Sequence, residues 1–127
     1  IKLLQRSGVQ VAIITGRQSE IVARRARELG IDAVVQGRED KLVALRELCG
    51  QLQLGLEQCA YMGDDLPDLG AIAAAGLGMI VADASASVHS VANWCATLPG
   101  GCGAVREACE FILRARGAWD ALEQGFA

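Results

Sequence analysis

The stretch Val11-Ala12-Ile13-Ile14-Thr15-Gly16-Arg17 decides the fold class. It closes a run from Val9 to Thr15 that is rich in β-branched residues and too short for a typical helix. It stops abruptly at a Thr-Gly-Arg turn, the pattern of a buried strand. On its amino-terminal side, Ile1 to Arg6 has helical spacing and ends at Gly8. On the other side Ser19 is expected to cap a helix running to about Leu29, with Ile21, Val22, Ala26 and Leu29 on one face and Gly30 as the stop.

Strand and helix then continue to alternate. Ala33 to Gln36 reads as a second strand. Asp40 is expected to cap a helix in which Leu42, Leu45, Leu48 and Leu52 recur at helical spacing, and Gly55 ends it. Cys59 to Met62 is a third strand that runs into Gly63-Asp64-Asp65. Pro67 suits the first turn of a helix with Leu69, Ile72 and Ala73 facing inward, ending near Gly76. Gly78 to Val81 is a fourth strand. Helical spacing from Ser85 to Asn93, an extended piece at Trp94 to Thr97, the loop Pro99-Gly100-Gly101-Cys102-Gly103 and a helix from Ala104 to Arg116 complete the pattern. Such alternation predicts an α/β fold, a Rossmann-like parallel sheet with helices on both faces, in one domain spanning residues 1–127.

Composition agrees with that architecture. The 127 residues are 52% hydrophobic but only 4% aromatic, which suits parallel strands under close-packed aliphatic helices. A net charge of -3 provides no basic field for a phosphodiester backbone, so nucleic acid is not an expected partner. The five cysteines include no CxxC pair and their number is odd. They read as reduced thiols in or near the core rather than as a disulfide framework or a zinc site. No segment approaches the ~20 apolar residues of a membrane span, so no membrane partner is expected and the protein reads as cytoplasmic.

Ligands of open parallel sheets bind beyond the carboxyl ends of the strands. Here those ends carry Thr15-Gly16-Arg17, Gly63-Asp64-Asp65 and Asp83. The adjacent carboxylates of Asp64 and Asp65, with Asp68 one turn on, repel one another unless a cation or solvent compensates. Either they bind a hard divalent ion such as Mg²⁺, for which one carboxylate plus water and phosphate suffices, or they complement a helix dipole. Thr15 and Gly16 are equally open: a phosphate cradle of hydroxyl and backbone N–H groups, or a plain turn. Lys41 and Arg106 are either anion contacts or solvated helix charges, and His89 has no partner at metal-ligand spacing.

The order of these signals is more informative than any one of them. The segments at residues 11–17, 60–68 (Ala-Tyr-Met-Gly-Asp-Asp-Leu-Pro-Asp), 81–84 (Val-Ala-Asp-Ala) and 103–107 (Gly-Ala-Val-Arg-Glu) together resemble the haloacid dehalogenase-like phosphatases. Within them the match is to the capless branch that acts on 3-deoxy-D-manno-octulosonate 8-phosphate. That resemblance implies a Mg²⁺-dependent phosphatase for a small phosphorylated sugar acid in lipopolysaccharide synthesis, working as a homotetramer. It implies that Thr15 binds the phosphoryl group, Lys41 balances charge, Asp64 ligates Mg²⁺ with Asp65 and Asp68 in support, and Gly16, Arg17 and Arg106 contact substrate. Two positions depart from the pattern. Cys102 stands where the glycine-rich loop usually has Arg, and no Asp-x-Asp, the family's source of nucleophile and general acid, occurs in the chain. The chain opens at Ile1 within a helical pattern, so the expectation is that an upstream segment of ~50 residues, a strand plus a hairpin, carries that motif. Its strand would occupy the centre of the sheet between the Thr15 and Asp64 strands. Without it those strands either close on each other or leave a groove. Two other readings remain at this stage: a phosphatase for an acylneuraminate phosphate, and a non-catalytic oligomerisation module fused to a sugar-nucleotide enzyme.

Overall fold

The computed structural model describes residues 1–126. Helix α1 (Lys2–Arg6) precedes β1 (Ala12–Ile14), α2 (Glu20–Glu28), β2 (Ala33–Val35) and α3 (Lys41–Leu52). A 3₁₀ turn at Leu56–Gln58 leads to β3 (Ala60–Gly63), and another at Leu66–Asp68 to α4 (Leu69–Ala74). The chain continues through β4 (Leu77–Ile80), α5 (Ala86–His89), β5 (Trp94–Cys95), α6 (Ala104–Ala115) and α7 (Trp119–Gln124).

Every strand pairing is parallel, yet the strands form two sheets rather than one. β1 pairs only with β2, placing Ala12 against Ala33 and Ile14 against Val35. β4 lies between β3 and β5, with Tyr61 against Gly78 and Ile80 against Cys95. Among the described residues no strand pairing joins β1 to β3, so the groove, not closure, is what forms. The exposure pattern fits: in β4 Gly78, Met79 and Ile80 are buried, whereas in β1 Ala12 is exposed and Ile13 and Ile14 are only half-buried.

Alternation along the strands gives the three-stranded sheet two covered faces. On one, Tyr61 and Ile80 join Ile72 and Ala71 of α4, Leu45 and Cys49 of α3 and Val88 of α5 in the main core. On the other, Val81 and Ala96 meet Ala104 of α6, with Met62 and Trp94 alongside, and Trp94 stacks on Phe111 with ring centroids 5.0 Å apart. Gly78 is required for the close packing, because a Cβ there would lie 2.2 Å from the Ile72 carbonyl oxygen.

Several local expectations are corrected. Ser19 does cap α2, its Oγ accepting from the Val22 N–H at 3.4 Å. Asp40 does not cap α3, because Arg38 takes both of its oxygens, at 3.0 and 2.6 Å. Ile21 and Ala73 turn outward, leaving Ala26 and the Ala71–Ile72 pair to bury the faces of their helices. The first strand begins at Ala12 rather than Val9, α5 ends at His89, and α7 follows Gly117, where no element was expected.

Ile72 is completely buried. Truncation to Ala is therefore expected to cost roughly 2–5 kcal/mol, read as a shift of the urea midpoint at unchanged slope.

Candidate active site

The loop after β3 folds back on itself around one carboxylate. Asp68 is only 3% exposed, and a buried charge of this kind is costly unless every lone pair is used. All are used here. Its Oδ1 accepts from Lys41 Nζ at 3.0 Å and from Tyr61 Oη at 2.5 Å. Its Oδ2 accepts from the backbone N–H groups of Asp64 at 3.0 Å and Asp65 at 3.3 Å. The side chain passes so near β3 that a Cβ on Gly63 would fall 2.4 Å from the Asp68 Cβ, which gives Gly63 a steric reason to be glycine.

This arrangement separates the roles of the three aspartates. Asp68 is an internal tie that joins the start of α3, the strand β3 and the loop. Asp65 caps the 3₁₀ turn, its Oδ1 accepting from the Leu66 N–H at 2.7 Å. Asp64 is exposed, and its carboxylate accepts no hydrogen bond among the described residues. Burial alone pushes the Asp68 carboxyl up, but the Tyr61 hydroxyl, the Asp64 N–H and Lys41 outweigh it and hold the group below the ordinary carboxylate range. Asp64 moves the opposite way. Partial burial raises it first, the adjacent Asp68 carboxylate next, and Lys41 only partly offsets them.

Lys41, Asp64 and Asp68 share an open cleft of about 270 Å³ with Ile14, Tyr61, Met62, Gly63, Val81 and Val105. Ile14 brings the carboxyl end of β1 to one side and Gly63 that of β3 to the other, so the cleft lies in the gap between the two sheets. Thr15 follows Ile14; its hydroxyl accepts from the Arg17 N–H at 3.2 Å, which is the turn geometry, and its hydroxyl proton stays available. Arg17 is exposed. Gly16 lies against Glu39, whose Oε1 would be 2.1 Å from a Cβ at that position, so an anion seated on this turn needs the Glu39 side chain to rotate away. Arg106 does not join the group. It lines a second cleft, of about 430 Å³, with Arg25, Glu110 and Trp119.

Sequence reasoning placed Asp83 at a strand end but did not identify its anchoring role, nor Tyr61, Glu39 or Glu107. Asp83 Oδ1 accepts from the Gly100 N–H at 2.8 Å and fastens the glycine-rich loop to the end of β4. The Glu107 carboxylate accepts from the Thr97 N–H, the Thr97 hydroxyl and the Leu98 N–H. Cys102 is exposed within that loop.

Residues 1–76 match the haloacid dehalogenase-like hydrolase family. The chain belongs to that family. Among curated haloacid dehalogenase-like relatives, the 3-deoxy-D-manno-octulosonate 8-phosphate phosphatase of Yersinia pestis is 47% identical over 116 residues, covering 91% of this chain and 62% of that protein. The present chain thus spans about 62% of the relative's length. The structure of the same-named phosphatase from Moraxella catarrhalis, in complex with a magnesium ion, a phosphate ion and KDO, superposes with a TM-score of 0.98 at 48% identity. That match covers 99% of this chain and 72% of the other. A probable phosphatase of Pseudomonas syringae gives 0.96 at 53% identity, covering 98% and 71%.

Because Asp68 is buried and its partner Lys41 is largely shielded, with side chains 4% and 15% exposed, removing either partner is expected to cost up to roughly 3–5 kcal/mol. Urea unfolding should show Lys41→Met and Asp68→Asn each strongly destabilising and the double variant well short of their sum.

The two aspartates also predict opposite pH effects. The depressed Asp68 contributes stability above the unfolded carboxyl value near 4, and this is lost as pH falls through its lower folded value. The raised Asp64 costs stability once pH rises through the carboxylate range. Asp64→Asn should therefore raise the thermal midpoint of the metal-free protein at neutral pH, and Asp68→Asn should flatten the acid limb of the midpoint-versus-pH curve.

Proposed function

We propose that this chain forms the metal- and phosphate-binding part of a Mg²⁺-dependent phosphatase. Its substrate in this reading is 3-deoxy-D-manno-octulosonate 8-phosphate, converted to the free sugar acid and phosphate for lipopolysaccharide synthesis. One observation carries the proposal: a saturated Asp68–Lys41–Tyr61 cluster sets an ammonium group beside the unpartnered carboxylate of Asp64. The 47% identity to the Yersinia pestis phosphatase supports this choice of substrate.

Among the described residues no three His, Cys, Asp or Glu side chains converge on a metal position, so the chain supplies only part of a coordination shell. Asp64 suits that part. Its ionised form is disfavoured by burial and by Asp68, and a hard cation removes that penalty. When bound, Mg²⁺ supplies Lewis-acid charge against the phosphoryl oxygens. Asp65 and Asp68 act one step back: Asp65 Oδ1 caps the 3₁₀ turn, and the Asp68 oxygens are taken by Lys41, Tyr61 and the loop N–H groups.

The chain's own residues position and neutralise. Asp68 holds Lys41 Nζ at the cleft, where its charge offsets that of the phosphoryl group and of an attacking carboxylate. Thr15 offers a hydroxyl donor, Gly16 close backbone approach, and Arg17 an exposed guanidinium for the sugar acid. Arg106 faces the second cleft and is left out of this assignment. The nucleophile is an aspartate outside these 127 residues; it attacks phosphorus, and water hydrolyses the resulting aspartyl-phosphate. The unpaired facing edges of β1 and β3 leave room for a strand to deliver it. In the same reading the intact protein is a cytoplasmic homotetramer, with a neighbouring subunit covering the exposed Leu66, Leu98 and Val105. Among the described residues no helix is long and apolar enough to cross a membrane.

The test is phosphate release by the intact protein from 3-deoxy-D-manno-octulosonate 8-phosphate, with Mg²⁺ or with chelator. Release should require the metal, and Asp64→Ala should lower kcat/KM by about 10³-fold or more. Faster turnover of an acylneuraminate phosphate would reassign the substrate. Metal-independent release would overturn the Mg²⁺ assignment, and no release from either ester would overturn the phosphatase reading in favour of a non-catalytic module.

A further inference from the structure

Cys49 and Cys59 face each other across the neck of the connection between α3 and β3. Their Sγ atoms are 3.3 Å apart and the residues are ten positions apart in sequence. Cys49, in the last turns of α3, is buried, while Cys59, just before β3, is half-buried. The segment between them reverses through Gln53, a non-glycine residue with φ of 58°, and closes with the Leu54 N–H donating to the Cys49 carbonyl at 2.9 Å. Two thiols are thus held in register by a fixed turn, a little over an ångström beyond the ~2.04 Å of a disulfide bond. The other cysteines, Cys95, Cys102 and Cys109, have no thiol partner among the described residues.

We propose that Cys49 and Cys59 are a redox modification site, a dithiol that closes reversibly to an intramolecular disulfide stapling α3 to β3. The proposal is independent of the phosphatase reading. The oxidant is a low-molecular-weight disulfide. The more accessible Cys59 thiolate attacks one of its sulfurs and expels a small thiolate. The Cys49 thiolate then attacks the Cys59 sulfur of the mixed disulfide and expels the second. Two cysteine protons pass to the released thiolates, and the small disulfide is reduced to two thiols as the protein disulfide forms.

Reaction is expected to be slow rather than absent. Burial, and next the hydrogen bond with Cys49, push the Cys59 thiol up to about 11, so little thiolate is present near neutral pH. Closure ties together the helix that begins at Lys41 and the strand that runs into Asp64, at the end of each remote from the cleft. A short enclosed loop restricts the unfolded chain, so the oxidised form should melt higher.

Incubating the intact protein with glutathione disulfide tests this. Cleavage after glutamate cuts at Glu47, Glu57 and Glu107 and separates Cys49, in peptide 48–57, from Cys59, in peptide 58–107. Expected is a product lighter by two hydrogen atoms, with these peptides linked, melting higher by roughly 5–15 °C, and reverting with dithiothreitol. The linkage should persist in a Cys95→Ser/Cys102→Ser variant and vanish in Cys59→Ser. Because peptide 58–107 also holds Cys95 and Cys102, loss of the linkage in the double variant would overturn the assignment. So would recovery of peptide 48–57 unlinked, or carrying only glutathione, after prolonged oxidation of the folded wild-type protein.

Discussion

The carboxylate of Asp68 is the constraint on which the rest of the site depends. A nearly inaccessible negative charge is tolerable only if a cation and several donors meet it, and meeting it dictates where Lys41, Tyr61 and the backbone of Asp64 and Asp65 must lie. Lys41 is the first residue of α3, so the position of that helix relative to β3 is set by the same bond. Gly63 leaves the space Asp68 fills. With Asp68 satisfied internally, Asp64 is left exposed beside it, and that asymmetry between near neighbours of the same residue type separates a carboxylate open to a ligand from a structural one.

Much of the fold could be read from residue order because burial and period agree there. Gly78 to Val81, flanked by Gly76 and Asp83, has no plausible life except as a central strand. The limits of such reading are equally physical. Val9 to Val11 looked like strand, but β1 has a hydrogen-bonded neighbour on one side only, and the extended run shortens to three residues. Asp40 looked like a cap until Arg38, two residues earlier, offered a bidentate partner that competes with a backbone N–H. The helix after Gly117 escaped notice because a glycine in the left-handed conformation reads as a stop, although here it is a corner.

The site shows the same division. Strand ends carrying Thr15 and Asp64 were legible from alternation alone, since both follow apolar runs. Tyr61 was not, because an aromatic residue in a strand is ordinarily just core, and nothing in the letters reveals that its hydroxyl meets a carboxylate seven residues later. Arg106 illustrates a finer limit. Neighbouring helical positions are turned by about 100°, so Val105 reaches the cleft that holds Lys41 while Arg106 lines only the second cleft.

The division of the strands into two sheets has a mechanical implication. Helix α3 touches both β1 and α4, and with the Lys41–Asp68 bond at its amino end it serves as a strut between halves that share no strand ladder. The helix is fixed to the main core along its length through Leu45 and Cys49, whereas the β1–β2 pair has no ladder to the other sheet among the described residues, so the spacing of the two walls rests on side-chain packing alone. Whatever fills the space between them would act as a wedge, adding backbone ladders to a frame otherwise joined by side chains and setting the separation of Thr15 from Asp64 through its own thickness.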